Sequence, residues 1–154
     1  MKLLKILLLI LFFSSAARAQ TEDNEVELKG PVKVAPVVLD SFKKAYPGVT
    51  NPTWDYGDGF FEVVFSKDGV DMTVDYDVYG RVQEIETEIP ISELPQQARD
   101  YIAKNYSAFK LTSASKLASS NYDLNYVAQI GKEGKFWDIT FDRNGKFMKE
   151  EIAD

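Results

Sequence analysis

Histidine and cysteine are both absent from the 154 residues. Without an imidazole or a thiol there is no Ser-His-Asp triad, no thiolate nucleophile and no zinc site of nitrogen and sulfur ligands. Most hydrolase mechanisms fall with them, and the expectation is a protein that is not an enzyme. Lack of cysteine also removes disulfides, so the fold must rest on its apolar core. It further removes the amino-terminal cysteine on which an exported protein would carry a lipid anchor. Paired carboxylates remain, but the acids alternate with apolar residues along strand-like runs, where exposure to solvent is the ordinary outcome. No cofactor motif is present, and none is expected.

Positive charge is scarce as well, with 18 Lys and Arg against 24 Asp and Glu and a formal net charge of -6. An acidic chain with no basic run is a poor partner for nucleic acid and for anionic membrane surfaces. Long apolar runs are few. The one over residues 6–13 follows Lys2 and Lys5 and leads to Ala17-Arg18-Ala19, the layout of a signal peptide. It falls short of the ~20 residues that span hydrocarbon. Cleavage after Ala19 is predicted, with residues 1–19 as the signal. Losing Lys2, Lys5 and Arg18 takes the formal charge from -6 to -9. The mature protein is expected in the periplasm or outside the cell, with no membrane insertion after cleavage. Residues 20–33 are polar and acidic and read as a flexible leader.

What is present is periodic. From Pro36, the residues Val38, Phe42, Ala45 and Tyr46 follow helical spacing, and Tyr46-Pro47-Gly48 ends the pattern. Four strands follow, over residues 53–56, 60–66, 70–76 and 81–88, separated by Gly57-Asp58-Gly59, Asp68-Gly69 and Asp77 to Gly80. Breaks this short permit only antiparallel neighbours. The order then repeats. Pro95 opens a second helix with Ala98, Tyr101, Ile102 and Tyr106 on one face, and 65 positions separate Lys67-Asp68-Gly69 from Lys132-Glu133-Gly134 and Gly80-Arg81 from Gly145-Lys146. Tyr46 to Tyr106 is only 60 positions, so five extra residues are expected in the Ser-rich stretch 112–121, as a loop or frayed strand.

The series Tyr46-Pro47-Gly48, Trp54, Lys67-Asp68-Gly69 and Tyr76-Asp77-x-x-Gly80-Arg81, repeated from Leu94-Pro95 to Phe141-Asp142-x-x-Gly145-Lys146, resembles the PepSY-like, beta-lactamase-inhibitor-like family over roughly residues 34–152. The second copy departs from it at Tyr106-Ser107-Ala108, where the family repeats Tyr-Pro-Gly. The resemblance implies an exported bacterial protein of the α+β class. It implies two tandem helix-plus-antiparallel-four-strand units, residues 34–89 and 90–154, in a two-layer arrangement. Each unit alone has too few buried faces for a core of its own, so the two are expected to pack into one continuous sheet with both helices on one side.

Two functional expectations follow. The first is a non-catalytic binding or inhibitor-like module for another protein, anchored at the tip where Tyr56 and Phe60 flank Gly57-Asp58-Gly59, with Asp58 projecting into a partner's cleft. Trp54, Phe61, Phe136 and Trp137 are further aromatics, for which core packing is the simpler reading. The alternative is an acidic module holding calcium or a small cationic ligand at the Asp77 and Asp142 turns. Asp75-x-Asp77-x-Tyr79-Gly80 with Glu86 follows a calcium loop in outline, but Tyr79 offers no ligand and the flanks alternate as strands.

Overall fold

The structure, a computed structural model, describes residues 32–153. The expected signal peptide and most of the leader lie outside the described residues. Helix α1, Pro36–Ala45, starts on a proline, whose fixed φ suits a first turn, and buries Val38 and Phe42 one turn apart. Helix α2, Gln96–Asn105, follows a 3-10 turn at Ile91–Glu93 and buries Ala98 and Ile102 at the same spacing. Neither is long and apolar enough to cross a membrane.

The strands are β1 Thr53–Gly57, β2 Phe60–Lys67, β3 Val70–Asp77, β4 Val82–Ile89, β5 Lys110–Ser119, β6 Leu124–Lys132, β7 Lys135–Asp142 and β8 Phe147–Ala153. Three hairpins turn on Asp58-Gly59, Asp68-Gly69 and Glu133-Gly134, every residue at positive φ. This is the conformation that lets a two-residue turn match the twist of its strands. The β strands pair in chain order, β1 to β8, all antiparallel.

Here the expected architecture is corrected. The chain does not form two tandem helix-plus-four-strand units in an α+β arrangement. It forms a single eight-stranded antiparallel sheet, mostly β, with two short helices on one face. The join between β4 and β5 runs in register from Glu84↔Ser119 to Ile89↔Ala114, so the hydrogen bonding has no seam. The Ser-rich stretch supplies that join. β1 has five residues and β5 has ten, so the extra five lengthen a central strand, not a loop. Their backbone is claimed by β4 on one side and β6 on the other, which outweighs the weak strand preference of serine and alanine.

The core lies between sheet and helices. Under α1 it gathers Phe61, Val63, Phe65, Val74 and Tyr76; under α2 it gathers Ala114, Ala128, Ile130, Ile139 and Phe141. Tyr76 is buried with its hydroxyl lacking a hydrogen-bond partner among the described residues, and burial pushes its pKa up to about 12. Phe141, 65 positions on, fills the corresponding place without a hydroxyl. A buried unsatisfied hydroxyl costs ~1–3 kcal/mol. Tyr76→Phe is therefore expected to raise stability by about 1 kcal/mol, read as a higher denaturant midpoint at unchanged slope. A lower midpoint would mean that the hydroxyl has a partner.

Candidate functional site

Alternation along the strands assigns each candidate side chain to a face. Tyr56 pairs with Phe61 across the β1–β2 hairpin, their ring centroids 4.6 Å apart, and Phe61 belongs to the core under α1. Tyr56, 47% exposed, therefore rests on the helix side. Phe60, 40% exposed, pairs with Gly57 and Asp77 and shares the opposite face with Val64. Asp58 stands between them in the turn, at φ 51. The three candidates share a hairpin tip but not a surface. Trp54 and Trp137 pack against the two core clusters.

The Asp77 and Asp142 carboxylates are acceptors within their own turns. Asp77 Oδ1 takes the amides of Tyr79 and Arg81, both at 2.9 Å, and Oδ2 takes Arg81 Nε at 2.6 Å. Against the opposing push of burial, these bonds hold its pKa below the ordinary value. Asp142 Oδ1 takes the amides of Lys146 at 2.9 Å and Asn144 at 2.8 Å, and the Lys146 amide leads in holding its pKa down. Both carboxylates shape turns. Among the described residues, no group of three or more acids is placed to hold a metal.

The face away from the helices is different. Leu117 and Val127 are buried, yet neither belongs to a core cluster. Register puts Leu117 opposite Glu86, and Val127 opposite Ser115 and Thr140, so both lie on the helix-free face. Ser115, Gln129 and Thr140 are buried beside them. Side chains can be buried on a face with no covering layer only where the sheet curves around them. A cavity of about 620 Å³ opens there, bordered by Thr53, Val64, Thr73, Glu86, Gln129 and Asp138 among others.

Its polar groups are tied together. The Ser115 hydroxyl donates to Glu86. Gln129 Nε2 donates to Asp138 Oδ1 at 3.3 Å, and the Thr112 hydroxyl donates to the Gln129 carbonyl at 3.0 Å. Burial pushes the Glu86 pKa up to about 7, with Asp138, Glu84 and Asp75 adding to it against the Ser115 bond. Burial alone takes Asp75 to about 6. Glu84 is raised by burial and then by Asp75, against Ser119 and Lys149. Asp138 is raised by burial, with Glu151 adding and Gln129 and Lys149 opposing.

These residues escape a sequence reading that takes strand-borne acids as solvated. One signal was there. Glu84, Glu86 and Glu88 occupy every second position of one strand, which stacks like charges on one face of its centre, an arrangement that costs energy.

With this geometry, the chain is similar to several solved structures. A DUF2874 family protein from Bacteroides uniformis matches with a TM-score of 0.68 at 17% identity, over 77% of this chain and 88% of that one. A candidate periplasmic protein from Bacteroides eggerthii matches with a TM-score of 0.71 at 17% identity, over 79% and 90%. A BLIP-like protein from Bacteroides fragilis matches with a TM-score of 0.63 at 22% identity, over 80% and 89%. The fold is BLIP-like. The PepSY-like half of the resemblance is not shown. No family model matches the chain, and no curated protein matches it.

Proposed function

We propose that this is a non-catalytic, exported binding module whose helix-free sheet face receives another protein. The observation that carries this reading is the cavity of about 620 Å³ on a face that no described element covers. A largely preformed hollow with a few convergent polar groups is the usual form of a binding site. The BLIP-like fold supports an inhibitor-like role as one version of this. Export to the periplasm or beyond is supported by the signal-like start and by the candidate periplasmic protein of the same fold. The non-catalytic part of the reading is supported by the absence of histidine and cysteine. Phe60 borders the same face, with Asp58 beside it in the turn. Tyr56 would contact a partner only around the rim.

The test is saturable capture of a partner from periplasmic extract of the producing cell by the immobilised protein. Ser66→Trp, at an exposed position bordering the cavity, is expected to abolish capture while melting stays near that of the parent. Capture that survives Ser66→Trp and is lost in Tyr56→Ala or Phe60→Ala would move the site to the hairpin tip.

A further inference from the structure

We propose that the partner segment received by this face is basic, and that one of its lysine or arginine side chains enters the hollow with Glu86 and Asp138 as its counter-ions. This rests on the proposed function and adds the chemistry of the partner. Charge complementarity is the first argument. Facing Glu86 are Asp75 from β3, Glu84 and Glu88 on β4 itself, Ser115 and Leu117 from β5, and Asp138 from β7. At the strand positions of this face among the described residues, the cations are Lys110, opposite Gly131 where β5 begins, and Lys149, already 2.7 Å from Glu151. The influence of Lys149 reaches Glu84 and Asp138 but is not among the effects on Glu86.

Shape is the second argument. A lysine or arginine side chain needs an apolar bed for its methylene stem and an anionic end for its head. Val64 and the buried Val127 border the hollow, with Leu117 buried opposite Glu86, and the carboxylates stand among them. The other occupants have the wrong sign. A second mature copy carries a net charge of -9, and the leader carries Glu22, Asp23, Glu25 and Glu27 against Lys29 and Lys33. A buried carboxylate beside like charges is costly until a cation arrives. Binding should therefore drive the proton off Glu86, and affinity should rise with pH.

The experiment is an amide-resolved NMR titration of the purified protein at low salt. The probes are a blocked ten-residue peptide of alternating lysine and serine, and the same peptide with glutamine for lysine. The lysine peptide is expected to shift Glu86, Ser115, Gln129 and Asp138 saturably, and to bind at least tenfold more weakly at pH 5 than at pH 8. The glutamine peptide should not bind. Glu86→Gln combined with Asp138→Asn, isosteric changes that keep the hydrogen-bonded network, should cost at least tenfold at pH 8. Equal binding of both peptides, shifts centred on other surfaces, or affinity independent of pH overturns the inference. If the double variant still captures a partner that Ser66→Trp loses, the face is the site but charge does not select its occupant.

Discussion

Lowering the pH from 8 to 5 is expected to stabilise the protein, by up to about 3 kcal/mol from Glu86 alone. Its pKa stands near 7 in the folded state, against the ordinary 4.5 of a free glutamate side chain. Between those values the folded state binds the proton and the unfolded state does not. The contribution is complete below about 4.5 and disappears as the pH rises through 7. Asp75, taken to about 6, acts in the same direction over a lower window. Asp77 and Asp142 act oppositely: their pKa values are depressed, so their support is present above the ordinary aspartate range and is lost below it. Stability should therefore peak near pH 5. Urea midpoints from pH 4 to 8 test this, and Glu86→Gln should flatten the limb between 5 and 8. A midpoint that climbs from 5 to 8 would show that Glu86 is ionised and compensated in the folded state.

Replacing Gly80 or Gly145 by alanine is expected to cost about 3 kcal/mol each, because backbone strain and steric overlap add. Gly80 has φ +77, and a Cβ there would lie 2.7 Å from Ser41 Oγ and 2.8 Å from the Val37 carbonyl oxygen. Gly145 has φ +85, with its Cβ 2.8 Å from both the Ala98 amide nitrogen and Pro95 Cβ. Each turn is pressed against the first turns of a helix, and a methyl group would push that helix off the sheet. Gly59 is the control. Its φ is +88, but nothing lies within 4 Å of an added Cβ, so alanine there should cost only ~1 kcal/mol. Denaturant midpoints of the three variants separate strain from overlap. Equal losses at all three would mean that the helices do not press on the turns.

Local chemistry was legible in the sequence, and the assembly was legible only in part. The Asp58-Gly59 and Asp68-Gly69 turns, the strands around them and the glycines at 80 and 145 follow from short-range rules of backbone conformation. The continuity of the sheet follows from the need of each half to share a core with the other, but the strand that makes it does not, because β4 pairs with β5 across a whole helix and nothing local to Thr112 or Ser115 announces two strand neighbours. The candidate face was hidden for a related reason. Alternation separates Glu84 and Glu86 from Ile85, but it says nothing about whether the polar side curves. Leu117 and Val127, buried away from the core, and Glu86, half-sunk and hydrogen-bonded to Ser115, become intelligible only once the neighbouring strands bend around them.

The order of the strands has a kinetic consequence. Each strand pairs with the one before it in the chain, so every hairpin closes a short loop except the step from β4 to β5, which carries α2. Folding rates fall as contacts become more distant in sequence, and the entropy of loop closure is the reason. This sheet can grow by one neighbouring hairpin at a time from either half, with no strand threaded between two already paired. The slow step should be the meeting of β4 with β5, and changes at Ser115 or Ala118 should slow refolding where equally destabilising changes in β1 mainly speed unfolding.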